Sequence, residues 1–85
     1  MANLNKLRNT VALMLSDDWK DRFVAEYRQL DERIKGLSMM LEAWDKLSFT
    51  PNCPRPLLES QLAYMKKYKH VLDVRADIEE INLEI

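Results

Sequence analysis

The sequence predicts an all-α protein: a long antiparallel helical hairpin with a short N-terminal helix, assembling into a homo-oligomer. Three observations point there. Tyr27, Leu30, Ile34, Leu37, Leu41 and Trp44 recur at steps of 3, 4, 3, 4 and 3, a heptad seam. Pro51, Pro54 and Pro56 are the chain's three prolines, and they share one stretch, "TPNCPRP", that separates this seam from a second apolar pattern. Glycine occurs once, at Gly36, so the chain is poor in turn-formers outside that linker.

Residues 1–15 read as a short N-terminal helix or extension. Leu4, Leu7, Val11 and Met14/Leu15 fall at steps of three and four, which predicts a helix over Asn3–Leu15, slightly weakened by Thr10 and Val11. Residues 16–85 form the hairpin domain. Its first helix is expected over about 17–47. Ser16 stands where an N-cap is needed, and Asp17, Asp18 and Asp21 suit the positive end of the helix dipole. Phe23 extends the seam upstream. Asp31–Lys35 and Glu42–Lys46 are acid-before-base pairs four apart, each stabilising by a few tenths of a kcal/mol. Gly36 costs about 1 kcal/mol relative to Ala and permits a close approach there.

Pro51 disfavours helix at Thr50, and Pro56 suits a first helical turn. The second long helix is expected over about 56–80. Leu58, Leu62, Met65, Leu72 and Ala76 form its deep stripe, with Leu57, Tyr64, Tyr68, Val71 and Ile78 beside it. Hairpin pairing about the linker sets residue i roughly opposite residue 102 − i. Tyr27 then lies near Arg75, Ile34 near Tyr68, and Arg22 near Glu80. The open end collects acids, and the middle third collects Arg28, Arg33, Lys35, Lys66, Lys67, Lys69 and Arg75.

The oligomer is expected from area. The first long helix would be roughly 46 Å long and the N-terminal one roughly 18 Å, too short to cover what the hairpin leaves open. Trp19, Val24, Met39, Met40, Trp44, Tyr64 and Tyr68 cannot all be hidden in one such hairpin. Copies are therefore expected to pair, at least as a dimer, most simply about a two-fold axis.

With 13 basic and 14 acidic residues the net charge is −1. That is neither the basic balance of a DNA binder nor the acidity of a DNA mimic, so charge must act through local patches. No apolar run approaches the ~18 residues of a membrane span, and the N-terminal apolar run is too short and interrupted for a signal peptide. A cytoplasmic location is expected. The single cysteine, Cys53, has no partner for an internal disulfide and no activating neighbour in sequence. His70 has no co-ligand at metal-binding spacing, so no metal or cofactor is expected.

The stretch "YMKKYKH" at 64–70 is the most informative chemically. Gln61, Tyr64, Tyr68 and Arg75 share one helical strip, flanked by Lys67. Tyrosine offers a flat face and a hydroxyl, and Lys and Arg bind phosphate, so the strip suits a nucleotide. The competing reading is that the tyrosines pack at a hairpin or oligomer interface and the lysines are solvated. Ser16, Ser38, Ser48 and Ser60 have no local base, and the carboxylates read as helix-surface charges, so no enzyme is expected.

The stretch "SDDWKDRFVAEYRQLDERIKGL" followed by "CPRPLLESQLAYMKKYKHVLDVRADIE" resembles a group of small phage-encoded helical proteins. The shared pattern is an A-E-Y-x-Q-L core, a C-P turn and an L-L-x-x-Q-x-x-x-M-x-x-Y-x-x-x-L-x-x-R-A-x-I-E helix, over roughly Ser16 to Glu80. In shape such chains are similar to the helical-hairpin sponge proteins with which phages counter CBASS and Thoeris defence. What that likeness implies is a site between chains for a small anionic nucleotide signal, a cyclic oligonucleotide or a cyclic ADP-ribose type, in a bacterial host cell. Tyr27, Tyr64 and Tyr68 would stack on it; Arg22, Arg28, Lys67 and Arg75 would neutralise phosphates. The alternatives are an anti-CRISPR-like inhibitor that binds a host defence protein, and a structural helical oligomer.

Overall fold

A computed structural model describes residues 3–84. Four α-helices and one 3-10 turn make up the fold, with no strand among the described residues. The helices are α1 (Leu4–Arg8), α2 (Val11–Met14), α3 (Trp19–Glu42) and α4 (Arg55–Glu79). None is long and apolar enough to cross a membrane.

The N-terminal segment folds as two short helices, not the single one expected over Asn3–Leu15. Asn3 caps α1, its Oδ1 accepting from the amides of Asn5 (3.0 Å) and Lys6 (3.2 Å). The break falls at Thr10, which is fully buried. Its hydroxyl donates to the Leu7 carbonyl (2.6 Å) and accepts from Gln29 Nε2 on α3 (2.9 Å). A side chain bonded back to its own backbone competes with helix continuation, and the bond to Gln29 fixes the corner against α3. Glu32 is the second anchor. It is buried on α3, accepts from the Asn3 amide (3.3 Å) and lies within 3.6 Å of Lys6 Nζ and 3.9 Å of Lys35 Nζ.

Asp18, not Ser16, caps α3, accepting from the Lys20 amide at 2.9 Å. Ser16 works one step outside the helix, where its hydroxyl accepts from the Asp18 amide (3.1 Å) and donates to Asp21 (2.7 Å). α3 ends at Glu42, five residues short of the expected end, and a 3-10 turn at Trp44–Lys46 follows. In that turn the Trp44 ring packs under the Arg55 guanidinium at the start of α4, 5.4 Å from the ring centre. The expected Glu42–Lys46 ion pair is not formed, whereas Asp31–Lys35 is, at 2.9 Å.

The early end of α3 also moves the register. Lys69 Nζ meets Asp31 Oδ1 at 2.9 Å, the Arg75 guanidinium lies 4.8 Å from the Phe23 ring centre, and Lys20 Nζ donates to the Glu79 carbonyl at 3.4 Å. These pairs give residue numbers adding to 98–100, where the linker midpoint suggested about 102. Arg75 thus faces Phe23 in place of Tyr27, and the acidic end of α4 faces Lys20 in place of Arg22. The pairing is antiparallel, as expected.

Phe23, Leu30 and Ile34 of α3 close on Leu72 and Ala76 of α4, with Tyr27, Leu62 and Met65 half-buried around them. The tail after α4 turns back onto this core. Glu80 adopts the left-handed conformation at φ 55°, the Ile81 amide bonds to the Ala76 carbonyl (2.9 Å), and Ile81 and Leu83 pack on the core. This is a Schellman ending with glutamate where glycine is usual.

Asp31 lies between Lys69 and Lys35. Burial opposes its ionisation, but the hydrogen bonds from the two lysines outweigh it and hold its carboxyl below the ordinary value of 3.8. The Asp31 bond in turn raises Lys69 above its ordinary 10.5.

Two outcomes are expected. Glu80→Gly removes the left-handed penalty of a residue with a Cβ and raises the melting temperature by a few degrees, about 1 kcal/mol; an unchanged or lower melt contradicts it. A depressed folded pKa gives stability that is present above the unfolded value and lost as pH falls through the folded one; for the raised lysine the loss comes above pH 10.5. Thermal melts below about pH 4 should therefore fall less steeply for Asp31→Asn than for wild type, by up to about 1 kcal/mol for a partly exposed pair.

Candidate functional site

Arg22, Glu26, Gln29 and Arg33 follow at steps of 4, 3 and 4 and so share one face of α3. That face, with Leu30 beneath it, Met14 of α2 on one side and Tyr68 of α4 on the other, lines an open cleft of about 420 Å³. The volume falls within the range of small-molecule sites. Its parts are held from outside. Gln29 Nε2 donates to Thr10 Oγ1 and to Met14 Sδ (2.7 Å), which fixes α2 as a wall. Arg22 Nη1 donates to the Ser16 carbonyl at 2.7 Å, so the loop before α3 orients its guanidinium. Arg33 is exposed, and Tyr68 is 44% exposed.

Electrostatics favour an anion in this cleft. Lys35 and Lys69 are committed to Asp31, Lys6 to Glu32 and Arg55 to Glu59. Arg22 and Arg33 make no ion pair among the described residues. Guanidinium groups offer forked donors that match phosphate oxygens. Tyr68 offers a ring face for stacking, while Gln29 and Glu26 supply an amide and a carboxylate for the edge of a base. The described lining holds no serine, cysteine, histidine or lysine.

The structure divides the residues that the sequence singled out. Arg22 and Tyr68 meet in the cleft. Tyr64, Lys67 and Tyr68 lie on the outer face of α4, with Lys67 Nζ 5.7 Å from the Tyr64 ring centre. There Leu57, Ser60, Gln61, Tyr64, Met65 and Tyr68 line an open, mostly apolar groove of about 640 Å³. Tyr68 is the wall common to groove and cleft. Tyr27 is half-buried against the core with Lys69 5.6 Å from its ring centre. Burial first, then the Asp73 carboxylate, pushes its phenol above 10.0. Arg75 stacks on Phe23, and Arg28 lines two smaller clefts, one with Lys6, Asn9 and Asp31, the other with Leu13, Val24 and Asn82. Tyr27, Arg28 and Arg75 are thus apart from the cleft. Glu26, Gln29, Arg33 and Met14 were not among the sequence candidates. The α3 trio was accessible as a polar stripe at helical spacing, whereas Met14 reaches the site only through the Thr10 corner.

Among the described residues no group of His, Cys, Asp and Glu is placed to hold a metal. Cys53 is half-buried in the linker, its thiol 3.7 Å from the Pro54 carbonyl.

Compared with known proteins, residues 17–78 match the family described as Sequestin. Neither a curated protein nor a solved structure matches the chain. The matched segment holds α3, the proline linker and nearly all of α4, and so contains every cleft residue except Met14. Since the match spans well over half of the 85 residues, the chain belongs to the Sequestin family.

Proposed function

We propose that this chain binds and sequesters a small anionic nucleotide immune signal, of the cyclic oligonucleotide or cyclic ADP-ribose type, without transforming it, as a phage anti-defence protein in the cytoplasm of a bacterial host. The observation that carries the reading is the cleft itself. Two arginines free of carboxylate partners flank a half-exposed tyrosine, within the segment that matches the family. The family's name is consistent with sequestration. Capture without chemistry also suits the lining, which offers donors, one carboxylate and an aromatic face in place of a nucleophile and base.

A second reading, inhibition of a host defence protein by direct contact, draws on exposed apolar side chains away from the cleft: Trp19, Met39 and Phe49. A stoichiometric host protein retained by the chain, and lost on Met39→Glu, would favour it.

Calorimetric titration with cyclic dinucleotides, cyclic trinucleotides and cyclic ADP-ribose isomers tests the first reading. One of these ligands should bind and be recovered intact. Arg33→Glu and Arg22→Glu should each weaken that binding at least tenfold, about 1.4 kcal/mol, with helicity unchanged because both side chains are exposed. Absence of binding by the whole panel contradicts the reading.

A further inference from the structure

The Thr10 hydroxyl carries one hydrogen, and it goes to the Leu7 carbonyl at 2.6 Å. Toward Gln29 that oxygen can only accept, so the Gln29 amide must turn its NH2 group to it (Nε2 to Oγ1 2.9 Å). Thr10 is fully buried, which leaves no water to take the place of either partner. The Met14 sulfur lies 2.7 Å from the same nitrogen, and a thioether is an acceptor alone. Both amide hydrogens of Gln29 are thus taken. What remains for a ligand is Oε1, an acceptor.

Glu26 precedes Gln29 by three residues, so the two side chains are neighbours on the floor of the cleft. Glu26 is exposed, and it makes no ion pair among the described residues. Its carboxylate likewise only accepts. The polar floor between Arg22 and Arg33 therefore presents acceptors side by side and no neutral donor.

We infer that this cleft selects guanine over adenine: Glu26 and Gln29 Oε1 read the edge of the base, and Thr10 and Met14 are positioning residues that hold Gln29 as an acceptor. The inference rests on the sequestration reading and narrows it to guanine-containing cyclic nucleotides. An edge made of acceptors needs a partner edge made of donors. Guanine has one, N1–H beside the N2 amine. A carboxylate takes N1–H and one N2–H together, and Oε1 of Gln29 takes the other N2–H. Adenine and cytosine set their amine beside a ring lone pair, which would face the carboxylate with no donor between them. Uracil has one N–H between two carbonyls. A site built to hydrogen-bond one edge rejects a molecule that leaves its groups unpaired far more strongly than an apolar pocket does. Tyr68 stacks on any base, and the arginines meet the phosphates of any nucleotide. Discrimination falls to Glu26 and Gln29.

The hold on Gln29 comes from outside the family-matched segment. Thr10 and Met14 precede residues 17–78, so the N-terminal helices supply it, not the hairpin. Without them the amide can turn over and offer a donor beside an acceptor, the pattern that pairs with adenine.

Calorimetry on the full chain with cyclic di-guanylate and cyclic di-adenylate tests this. The guanine ligand should bind tighter by about tenfold or more. Glu26→Gln places an amide donor beside Gln29 and should shift the ratio of the two affinities toward adenine by about tenfold or more, with helicity unchanged because the side chain is exposed. Thr10→Val, which removes the hydroxyl, should lower the ratio, and Thr10→Ser, which keeps it, should restore it. A merely structural Thr10 would weaken both ligands alike and leave the ratio as it was, which contradicts the positioning role. Should Thr10→Val lose helicity, Met14→Leu removes only the sulfur acceptor and must lower the ratio in its place. Equal affinities, a preference for adenine, or a ratio indifferent to Glu26→Gln overturn the inference and leave sequestration standing. If no nucleotide of the wider panel binds, the sequestration reading falls and the base preference falls with it.

Discussion

Two helices in contact can hide only one side of each from water, and this constraint governs the molecule. The single buried seam, Phe23, Leu30 and Ile34 against Leu72 and Ala76, holds α3 and α4 together and sets their register. Everything else is arranged around the sides that seam leaves open. The N-terminal segment covers one flank of α3 through Thr10 and Glu32, and the tail covers the open end through Ile81 and Leu83. The outer face of α4 has no cover within the chain, although its spacing is as regular as that of the buried face.

The cleft follows from the same geometry. α2 stands off α3 at the height of Gln29, and α4 borders it at Tyr68, so the polar face of α3 between them becomes a floor with walls. Arg22 and Arg33 make no ion pair among the described residues, whereas the cations nearest Asp31 and Glu32 are neutralised locally. Asp31 takes Lys35 and Lys69, and Glu32 takes Lys6. Of the positive charge that a sequence reading places along the middle of the rod, Lys35 and Lys69 are thus neutralised, and Arg33 opens into the cleft. Recognition of an anionic, partly aromatic molecule needs little more than this: forked donors, a ring and a polar edge, held in advance by helices that do not have to move.

The hairpin was legible because seam and linker are both periodic, local signals. The 27–44 seam and the clustered prolines locate two long helices to within a few residues, and Pro56 lies in the first turn of α4 as its fixed φ requires. What was not legible depended on partners distant in sequence. Thr10 marks the break in the N-terminal helix, where Gln29, nineteen residues away, donates to its hydroxyl. α3 gives way after Glu42 to a turn whose Trp44 meets Arg55 of α4, a contact across the linker that the helix-favouring residues there do not announce. The site was half legible for the same reason. Tyr68 and Arg22 stood out by type, but which polar side chains share the cleft is decided by how α2 and α4 border α3. Tyr27 and Arg75, equal candidates by type, are taken up by the core and its rim.

Native mass spectrometry of the chain mixed with the nucleotide panel tests the account most directly, because it reads copies and ligand in one spectrum. The account predicts two chains carrying an intact nucleotide of unchanged mass. A single chain with nothing bound, at concentrations where helicity is complete, would contradict it.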